Sequence, residues 1–412
     1  MVRALAAVFL MCTLTLIGGA AEAISLAVCT TNSTMGAITQ SAPCGIYGVV
    51  QTRTEAGGPI FVRYMTHAPA STPKGIVFLL PGGAGGAGIS GTPGQPPVSA
   101  NNNFLVRSAQ LQTEDGFLAI TTGRPLFNDD STTPEGVALI ADFRLTSRHA
   151  VDIVAVLNAV IASNPGAYGN LRVFLAGTSS STIGAMAQAR LANAVALSSV
   201  VSGYTNCPTC LYIGNPLIPA LVPANMPVPV HVMAHKDDTC SGTLPENARL
   251  VYQQFRAAGV KAEYDELNGG FTMAGMIIPP DSAPINVCEA LTFHGFLGIE
   301  TKGVKEMTKL FEDVLGDLRR LYPGNRKPVV VTPGALSAAV GVLDLSPLVS
   351  DPDGNALAFT LPHATSDRGA ALILNGTTVT YLAGGGGYPD AFVYIASDGR
   401  GGVTPAVVTV GP

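Results

Sequence analysis

Tryptophan is absent from this chain of 412 residues, and only 6% of its residues are aromatic. Charged residues are also scarce at 12%, and the formal net charge is −5. Without tryptophan the chain lacks the usual aromatic platform for binding a polymer, and so mild an acidic excess gives no argument for nucleic acid or an anionic membrane as a partner. Beyond the first residues no stretch approaches the roughly 18 apolar residues of a membrane-spanning helix. We therefore expect a soluble protein that neither crosses a membrane nor binds nucleic acid.

The first residues have the pattern of a secretory signal peptide. Arg3 supplies a positive charge, residues 4–17 form a short apolar run, and Ala21-Glu22-Ala23 ends in the small residues of a cleavage site. We expect residues 1–23 to be removed and the mature protein to be secreted, either from the cell or into the periplasm.

Cysteine usage agrees with export. Of seven cysteines, Cys12 lies in the predicted signal peptide. An even number remains, which favours disulfide bridges in an oxidising compartment, although sequence alone does not fix their pairing. The expected pairs are Cys29 with Cys44, Cys207 with Cys210, and Cys240 with Cys288. The Cys-Pro-Thr-Cys motif is alternatively a redox or metal site, but no second such motif accompanies it, and we expect no metal there.

A segment rich in proline and glycine, residues 323–328, divides the chain into two regions. Before it, near-continuous apolar runs alternate with helical patterns, which indicates a mostly parallel sheet with flanking helices. After it, short alternating segments without helical periodicity indicate an all-β sandwich. The expected organisation is an α/β domain at residues 24–323, a linker at 324–328 and a β domain at 329–412.

The apolar patterns predict individual elements. In the first region, strands are expected at residues 75–80, 117–121, 173–176 and 228–234, helices at 148–162, 185–196 and 304–322, and an antiparallel hairpin at 46–52 and 60–67. In the second, strands are expected at residues 356–361, 371–374, 377–382, 391–397 and 406–410.

Residues 171–186 pass from an apolar run through Gly177-Thr-Ser-Ser-Ser into a helix-like segment. This pattern predicts a strand, a tight turn that exposes Ser179, and a helix, an arrangement that makes a serine a nucleophile and aims the backbone N–H of Ser180 at an oxyanion. A serine-rich helix cap is the alternative. The run of three serines also leaves open which of them attacks.

A carboxylate and a histidine follow this serine in the order that a catalytic triad on this type of sheet requires. An apolar strand leads into Asp237 and Asp238, of which Asp238 is favoured by its spacing from the strand, and the alternative is an exposed acidic turn. His294 is the histidine that lies after this acid within the first domain, flanked by a glycine that allows a turn. A Cys240–Cys288 bridge would clamp the acid loop to the histidine loop.

Residues 81–88 form a glycine-rich loop after the strand predicted at 75–80. A backbone N–H of Gly83 or Ala84 would join that of Ser180 as an oxyanion hole. The loop also matches the Gly-x-Gly-x-x-Gly dinucleotide fingerprint, but that motif should open a helix, and the residues that follow are rich in glycine and proline. We therefore expect no nucleotide cofactor.

Together, the motifs around Ser179, Asp238 and His294 resemble the secreted α/β-hydrolases of bacteria, of the serine esterase type, over roughly residues 30–322. The resemblance implies an α/β-hydrolase fold with Ser179 as nucleophile, His294 as base and Asp238 as the group that orients the base. Two positions depart from the family pattern. Ser181 replaces the second glycine of the nucleophile motif, and Pro81-Gly82 replaces the usual His-Gly.

The second region resembles bacterial cadherin-like or immunoglobulin-like repeats in its Asp351-Pro-Asp-Gly, Asn375-Gly and Ser397-Asp-Gly turns. In that family, paired acids such as Asp351 and Asp353 hold calcium, which prefers oxygen ligands. Asp-Gly is equally a turn signal, and calcium is a minor expectation.

These features predict a secreted serine esterase. The short segment between Ser179 and Asp238 leaves little chain for a lid, so we expect an open site that accepts bulky esters. Polyester depolymerases and cutinase-like enzymes are similar in this respect, although the lack of tryptophan disfavours a polymer. The alternatives are a peptidase or other amide hydrolase, and a non-catalytic homologue that serves adhesion. A complete serine, aspartate and histidine set argues against the latter.

Overall fold

The structure, a computed structural model, describes residues 45–55, 57–94, 98–99, 102–127, 141–201, 226–277, 283–337, 341–382 and 389–411. The predicted signal peptide and four of the cysteines lie outside these residues: Cys29, Cys44, Cys207 and Cys210. Within the described part of the chain, no helix combines the length and apolar character needed to cross a membrane.

An eight-stranded sheet forms the centre of the larger region. Its strands are β1 (Ile46–Glu55), β2 (Gly58–His67), β3 (Ile76–Leu80), β4 (Leu118–Phe127), β5 (Val173–Thr178), β6 (Ala194–Ser198), β7 (Val230–His235) and β8 (Ala262–Leu267). Their spatial order is β1-β2-β4-β3-β5-β6-β7-β8. The β1–β2 hairpin is antiparallel, β2 pairs antiparallel with β4, and the remaining pairs are parallel. This confirms the predicted α/β class and the hairpin at its leading edge.

Helices cover both faces of the sheet. They are α1 (Phe104–Arg107), α2 (Leu111–Glu114), α3 (Ala141–Arg144), α4 (Ser147–Ser163), α5 (Pro165–Tyr168), α6 (Ser181–Ala187), α7 (Pro245–Ala257) and α8 (Glu300–Leu321). Successive side chains of a strand face opposite layers. Accordingly Phe78 packs in the apolar layer that contains α4, α6 and α7, and Val77 packs in the layer that contains α1 and α8.

Two local predictions are corrected. The helix predicted at residues 185–196 is wrong, because α6 ends at Ala187 and β6 begins at Ala194. Alanine favours a helix, but here the alanine-rich segment is wholly buried between β5 and β7, where pairing on both sides overrides that preference. β8 is missing from the sequence prediction. It is the edge strand, and its charged residues Glu263, Asp265 and Glu266 hide the apolar pattern.

The C-terminal region is a β-sandwich. Its strands are β9 (Val329–Val330), β10 (Gly334–Ser337), β11 (Val342–Asp344), β12 (Val349–Ser350), β13 (Ala358–Thr360), β14 (Ala371–Asn375), β15 (Thr378–Leu382), β16 (Asp390–Ser397) and β17 (Val403–Gly411). A four-stranded sheet, β10-β17-β16-β13, is accompanied by a three-stranded sheet, β11-β15-β14. Phe392 and Tyr394 of β16 lie in the sandwich's own core.

β16 is buried on both of its faces. While Phe392 and Tyr394 point into the sandwich, the alternate residues Ala391, Val393 and Ile395 belong to the apolar core that contains α4. The period of two along a strand places these two sets on opposite faces. The sandwich is therefore docked on the α/β region through apolar packing.

The Asp-Pro-Asp-Gly turn suggested for calcium already has internal partners. Asp351 Oδ1 accepts the backbone N–H groups of Asp353 and Asn355 at 2.9 and 3.0 Å. Asp353 accepts from the backbone N–H of Arg326 at 2.7 Å and from its guanidinium at 2.9 Å. No group of three or more histidine, cysteine or acidic side chains in the described ranges is placed to hold a metal. Calcium stays a prediction.

Candidate active site

Ser179 occupies a strained turn between β5 and α6. Its φ is 53°, in a region that residues other than glycine rarely adopt. The turn is held by the bond from the Ser179 N–H to the carbonyl of Ser198, 2.9 Å, and by the bond from the Thr182 N–H to the carbonyl of Ser179, 3.0 Å. A Cβ at Gly177 would lie 2.6 Å from the carbonyl oxygen of Ser181, so glycine is needed for this close approach of helix and strand. The predicted strand, turn and helix are all present.

The three consecutive serines have different partners. The Ser180 hydroxyl donates to the carbonyl of Gly83 at 2.7 Å, and the Ser181 hydroxyl donates to the carbonyl of Pro81 at 2.5 Å. Of the three, Ser179 is the one that lines the cavity described below. Ser181, the departure from the family glycine, thus ties the turn to the glycine loop.

The glycine loop passes directly above the turn. A Cβ at Gly82 would lie 2.7 Å from the carbonyl oxygen of Thr178 and 2.9 Å from Ser179 Cβ, a contact that only glycine avoids. Gly83 and Gly85 have φ angles of 60° and 78°, which suit glycine. The backbone of the loop therefore approaches Ser179 as closely as a substrate-binding loop requires.

Arg144 supports this loop from below and is fully buried. Its Nη2 donates to the carbonyl of Gly83 at 2.7 Å, and its Nε donates to the Ser181 hydroxyl at 3.1 Å. One guanidinium therefore joins the turn and the glycine loop.

On the other side of the cavity, Asp238 and His294 meet. Asp238 follows β7 and is buried, whereas the neighbouring Asp237 is exposed, as the preference between the two requires. Asp238 Oδ1 accepts the backbone N–H of Cys240 at 2.9 Å, and its Oδ2 lies 3.1 Å from His294 Nδ1.

Thr243 is a third member of this group. Its hydroxyl donates to Asp238 Oδ2 at 2.9 Å and lies 2.8 Å from His294 Nδ1. The single proton of the Thr243 hydroxyl points to the carboxylate. The hydroxyl oxygen is therefore an acceptor for the N–H at His294 Nδ1, and this N–H is shared between Thr243 Oγ1 and Asp238 Oδ2. That tautomer leaves His294 Nε2 with its lone pair. Thr243 is 1% exposed, so water does not compete for these bonds.

The histidine loop is fixed by several backbone contacts. The Ser199 hydroxyl donates to the carbonyl of His294 at 2.7 Å. Arg107 donates to the carbonyls of Gly295 and Ala290, at 2.5 and 3.2 Å, and pairs with Glu300 at 2.9 Å. Burial lowers the pKa of Arg107, and the Glu300 carboxylate opposes that shift.

A disulfide joins the acid loop to the histidine loop. The bridge connects Cys240 and Cys288, the pairing expected from the sequence. Cys240 follows Asp238 by two residues, and Cys288 lies on the cavity wall near His294. The two loops that carry Asp238 and His294 are therefore covalently linked.

These groups surround a cavity of about 350 Å³. Ser179 and His294 line it, together with Gly83 and Ala84 of the glycine loop. Four further side chains on its wall are Asn103, Phe104, Arg124 and Glu289. The cavity thus offers a serine, a histidine and backbone amides to one bound group.

The sequence prediction missed the supporting residues Thr243, Arg144 and Arg107. The three residues lie far from one another in the chain and belong to no motif, so no sequence spacing predicted them. The only hint in the sequence is that Arg144 is one of few charged residues in the chain. Its need for partners becomes evident only once the structure shows that it is buried.

Residues 325–411 match the family model of the bacterial Ig domain. This agrees with the β-sandwich seen from β9 to β17 and with the predicted immunoglobulin-like region. No curated protein matches the chain by sequence.

Three solved structures to which this chain is similar are described as a hydrolase, an esterase and a peptidase. XC6422 from Xanthomonas campestris, described as an α/β serine hydrolase without a lid, is 10% identical, with a TM-score of 0.36 over 64% of this chain and 95% of that one. The thermophilic esterase Est2 of Thermogutta terrifontis is 12% identical, with a TM-score of 0.40 over 67% and 96%. The acylaminoacyl peptidase of Pyrococcus horikoshii is 12% identical, with a TM-score of 0.41 over 65% and 41%. TM-scores this low carry no information about the reaction.

The strand order 1-2-4-3-5-6-7-8, with β2 antiparallel to its two neighbours and the remaining pairs parallel, is that of the α/β-hydrolase fold. The predicted immunoglobulin-like C-terminal region is confirmed. The linker predicted at residues 324–328 falls between the end of α8 at Leu321 and the start of β9 at Val329.

Proposed function

We propose that this chain is a secreted serine hydrolase that cleaves carboxylic esters through an acyl-enzyme on Ser179. The observation that carries the proposal is that Ser179, on its strained turn, and His294 line one cavity, with the buried Asp238 carboxylate 3.1 Å from His294 Nδ1. Strain of this kind concentrates at functional sites, where the surrounding structure maintains it. Ser179, His294 and Asp238 are assigned as nucleophile, base and orienting acid.

In the acylation step, Ser179 Oγ attacks the ester carbonyl carbon and its proton passes to His294 Nε2. The imidazolium that results is stabilised by Asp238 and Thr243 at Nδ1. The tetrahedral intermediate collapses when its bond to the alcohol oxygen breaks, and His294 returns the proton to that alcohol. Water then repeats the sequence on the acyl-enzyme and releases the carboxylic acid.

The negative oxygen of the intermediate needs donors fixed before it forms. We assign the backbone N–H of Ser180 and that of Gly83 or Ala84 to this role. Their support is the rigid attachment of the loop, since Ser180, Ser181 and Arg144 all bond to it. No metal or nucleotide cofactor has a part in these steps.

The ester class and the compartment are parts of the same proposal. The predicted signal peptide and the Cys240–Cys288 bridge both suit an oxidising compartment. Bulky esters are the proposed substrates. That idea rests on the short segment between Ser179 and Asp238. Residues 202–225 of this segment lie outside the described residues. Amide cleavage on the same site is the competing reaction.

The test is hydrolysis of p-nitrophenyl esters of increasing acyl length by the wild type, Ser179→Ala and Ser180→Ala. Loss of the nucleophile should lower kcat by about 10⁴- to 10⁶-fold. Ser180→Ala keeps the nucleophile and removes one tie of the glycine loop, so we expect a much smaller loss. Full activity in Ser179→Ala would move the attack to another serine, and no activity in the wild type would overturn the proposal. Matching p-nitroanilides separate ester from amide cleavage.

A further inference from the structure

The β-sandwich makes polar as well as apolar contacts with the α/β region. Hydrogen bonds of 2.6 to 3.0 Å join the two regions directly: Ser147 Oγ to Ser366 O, Arg148 Nε to Asp367 O, Asn193 Nδ2 to Gly401 O, and Arg368 Nη2 to Thr54 O. Two more, Arg172 Nη2 to Asn325 O at 3.1 Å and Lys327 N to Asn170 Oδ1 at 2.8 Å, bind the linker. With the doubly buried strand β16, they fix one position of the sandwich on the α/β region.

A further contact leads from the sandwich toward the active site. His363 Nε2 lies 2.9 Å from Oε1 of Gln188, the residue that follows α6. Gln188 is fully buried. Burial lowers the pKa of His363 to about 4, so the ring is neutral at pH 7 and Nε2–H is the donor.

Gln188 continues the connection with its amide nitrogen. Nε2 donates to the carbonyls of Arg144 and Thr146, each at 3.2 Å. His149 Nδ1, on α4, lies 3.3 Å from the same Arg144 carbonyl. The backbone of Arg144 is thus held in place at the point where its side chain starts toward the glycine loop.

The Arg144 guanidinium then fixes the peptide of the glycine loop. Its bond to the Gly83 carbonyl, 2.7 Å, and that of Ser180, also 2.7 Å, set the direction of this C=O. In a trans peptide the C=O of Gly83 and the N–H of Ala84 point in opposite directions. Holding the carbonyl therefore aims the Ala84 N–H, one of the donors assigned to the oxyanion.

We propose that His363 of the β-sandwich is a positioning residue for the oxyanion loop, acting through Gln188 and Arg144. The C-terminal region then helps to position the active-site loop and is not a separate binding domain. The inference rests on the proposed function, because the loop matters to catalysis only if an oxyanion forms beside it.

The experiment compares His363→Ala, His363→Gln and Asn170→Ala in the full chain. His363→Ala removes the donor to Gln188. His363→Gln keeps an N–H donor. Asn170→Ala is the matched control, because it removes one hydrogen bond between the α/β region and the linker, at Lys327, without a link to the loop.

We expect His363→Ala to lower kcat on an ester by about 5- to 30-fold, less than the roughly 100- to 1,000-fold loss of an entire oxyanion donor, with KM nearly unchanged. His363→Gln should recover most of this loss, and Asn170→Ala should keep wild-type kcat. Equal kcat in His363→Ala and Asn170→Ala, at matched thermal stability, would overturn the proposal.

A second readout does not depend on activity. Hydrogen exchange followed by mass spectrometry should show faster exchange of the peptide covering residues 81–88 in His363→Ala than in the wild type or Asn170→Ala. If the wild type hydrolyses no ester but this difference appears, the proposed function fails while the connection to the loop stands. If the enzyme is active and exchange is unchanged, the connection is absent.

Discussion

The two sides of the cavity that Ser179 and His294 line are held by different means. The acid and histidine side has a covalent link, Cys240–Cys288, close to Asp238 and His294. The serine and oxyanion side has hydrogen bonds alone among its described contacts, from Ser180, Ser181 and Arg144 to the glycine loop. The difference indicates which side of the cavity needs the stronger support. His294 lies in a short turn outside the sheet, at residues 293–295, whereas Ser179 directly follows the central strand β5 and needs less additional support.

Removal of the disulfide should have the largest effect on this comparison. In Cys240→Ser/Cys288→Ser, the sequence separation of 48 residues predicts a loss of about 4 kcal/mol in the free energy of unfolding. The acid and histidine loops also lose their link, so we expect kcat to fall. Thermal unfolding and ester turnover, each with and without dithiothreitol, measure both effects.

The reductant provides the control for that double variant. Dithiothreitol should bring the wild type toward the variant, and any further loss in the variant itself reports on the other predicted bridges. Unchanged stability and kcat in the variant would mean that the disulfide is not needed to hold the acid and histidine side. The two sides of the cavity would then not differ in how they are held.

Thr243→Val should give the next largest effect. Valine keeps the shape but removes the hydroxyl that contacts Asp238 Oδ2 and His294 Nδ1. A hydrogen bond to a charged group contributes about 1.5–3 kcal/mol, which corresponds to about 10- to 100-fold in kcat. Rescue by Thr243→Ser, with KM unchanged in both variants, would show that the hydroxyl acts on the base. If Thr243→Val matches the wild type, Asp238 orients His294 unaided.

The smallest expected effect concerns pH and the boundary between the sandwich and the α/β region. Burial raises the pKa of Asp367, in the sandwich, to about 6, Arg53 and Arg148 lower it, and Asp390 and Asp152 raise it further. Because the folded-state pKa lies above the ordinary value of 3.8, this group stabilises the fold at low pH, and the contribution is lost as pH rises toward 6.

Asp367→Asn removes that dependence. Relative to the wild type, the variant should gain stability between pH 4 and 6 and stay about 1–3 kcal/mol more stable at pH 7. Chemical denaturation at several pH values measures the gain. The disulfide variant is the comparison, since its stability difference from the wild type should not change over this interval. A pH-independent difference for Asp367→Asn would refute the assignment.

The sequence predicted those features that follow from local pattern or chain order. Apolar runs placed β3, β5 and β7. The order of the three residues led to Ser179 and His294, which line one cavity, and to Asp238, which contacts His294. That the three form a triad stays a prediction until activity is measured. The helix expected at residues 185–196 failed because pairing within the sheet outweighs the preference of alanine for helix.

The supporting groups were beyond the reach of sequence patterns for a physical reason. Arg144 bonds to Gly83, Thr243 bonds to Asp238 and His363 faces Gln188 through contacts that exist only once the chain is folded. A threonine or an arginine at such a position has no required neighbour in the sequence. Long-range polar contacts therefore remain unpredicted even where the motifs that they support are recognised.

The double burial of β16 also affects how the chain folds. The apolar core around α4 is complete only when Ala391, Val393 and Ile395 pack on it, and the contact of Ser147 with Ser366 spans 219 residues. Contacts between residues so distant in sequence form late and slow folding. During synthesis, α4 leaves the ribosome long before β16 exists, and its apolar flank stays uncovered for that time. The core around α4 is therefore completed only when the last strands have folded, and until then its exposed apolar flank favours aggregation.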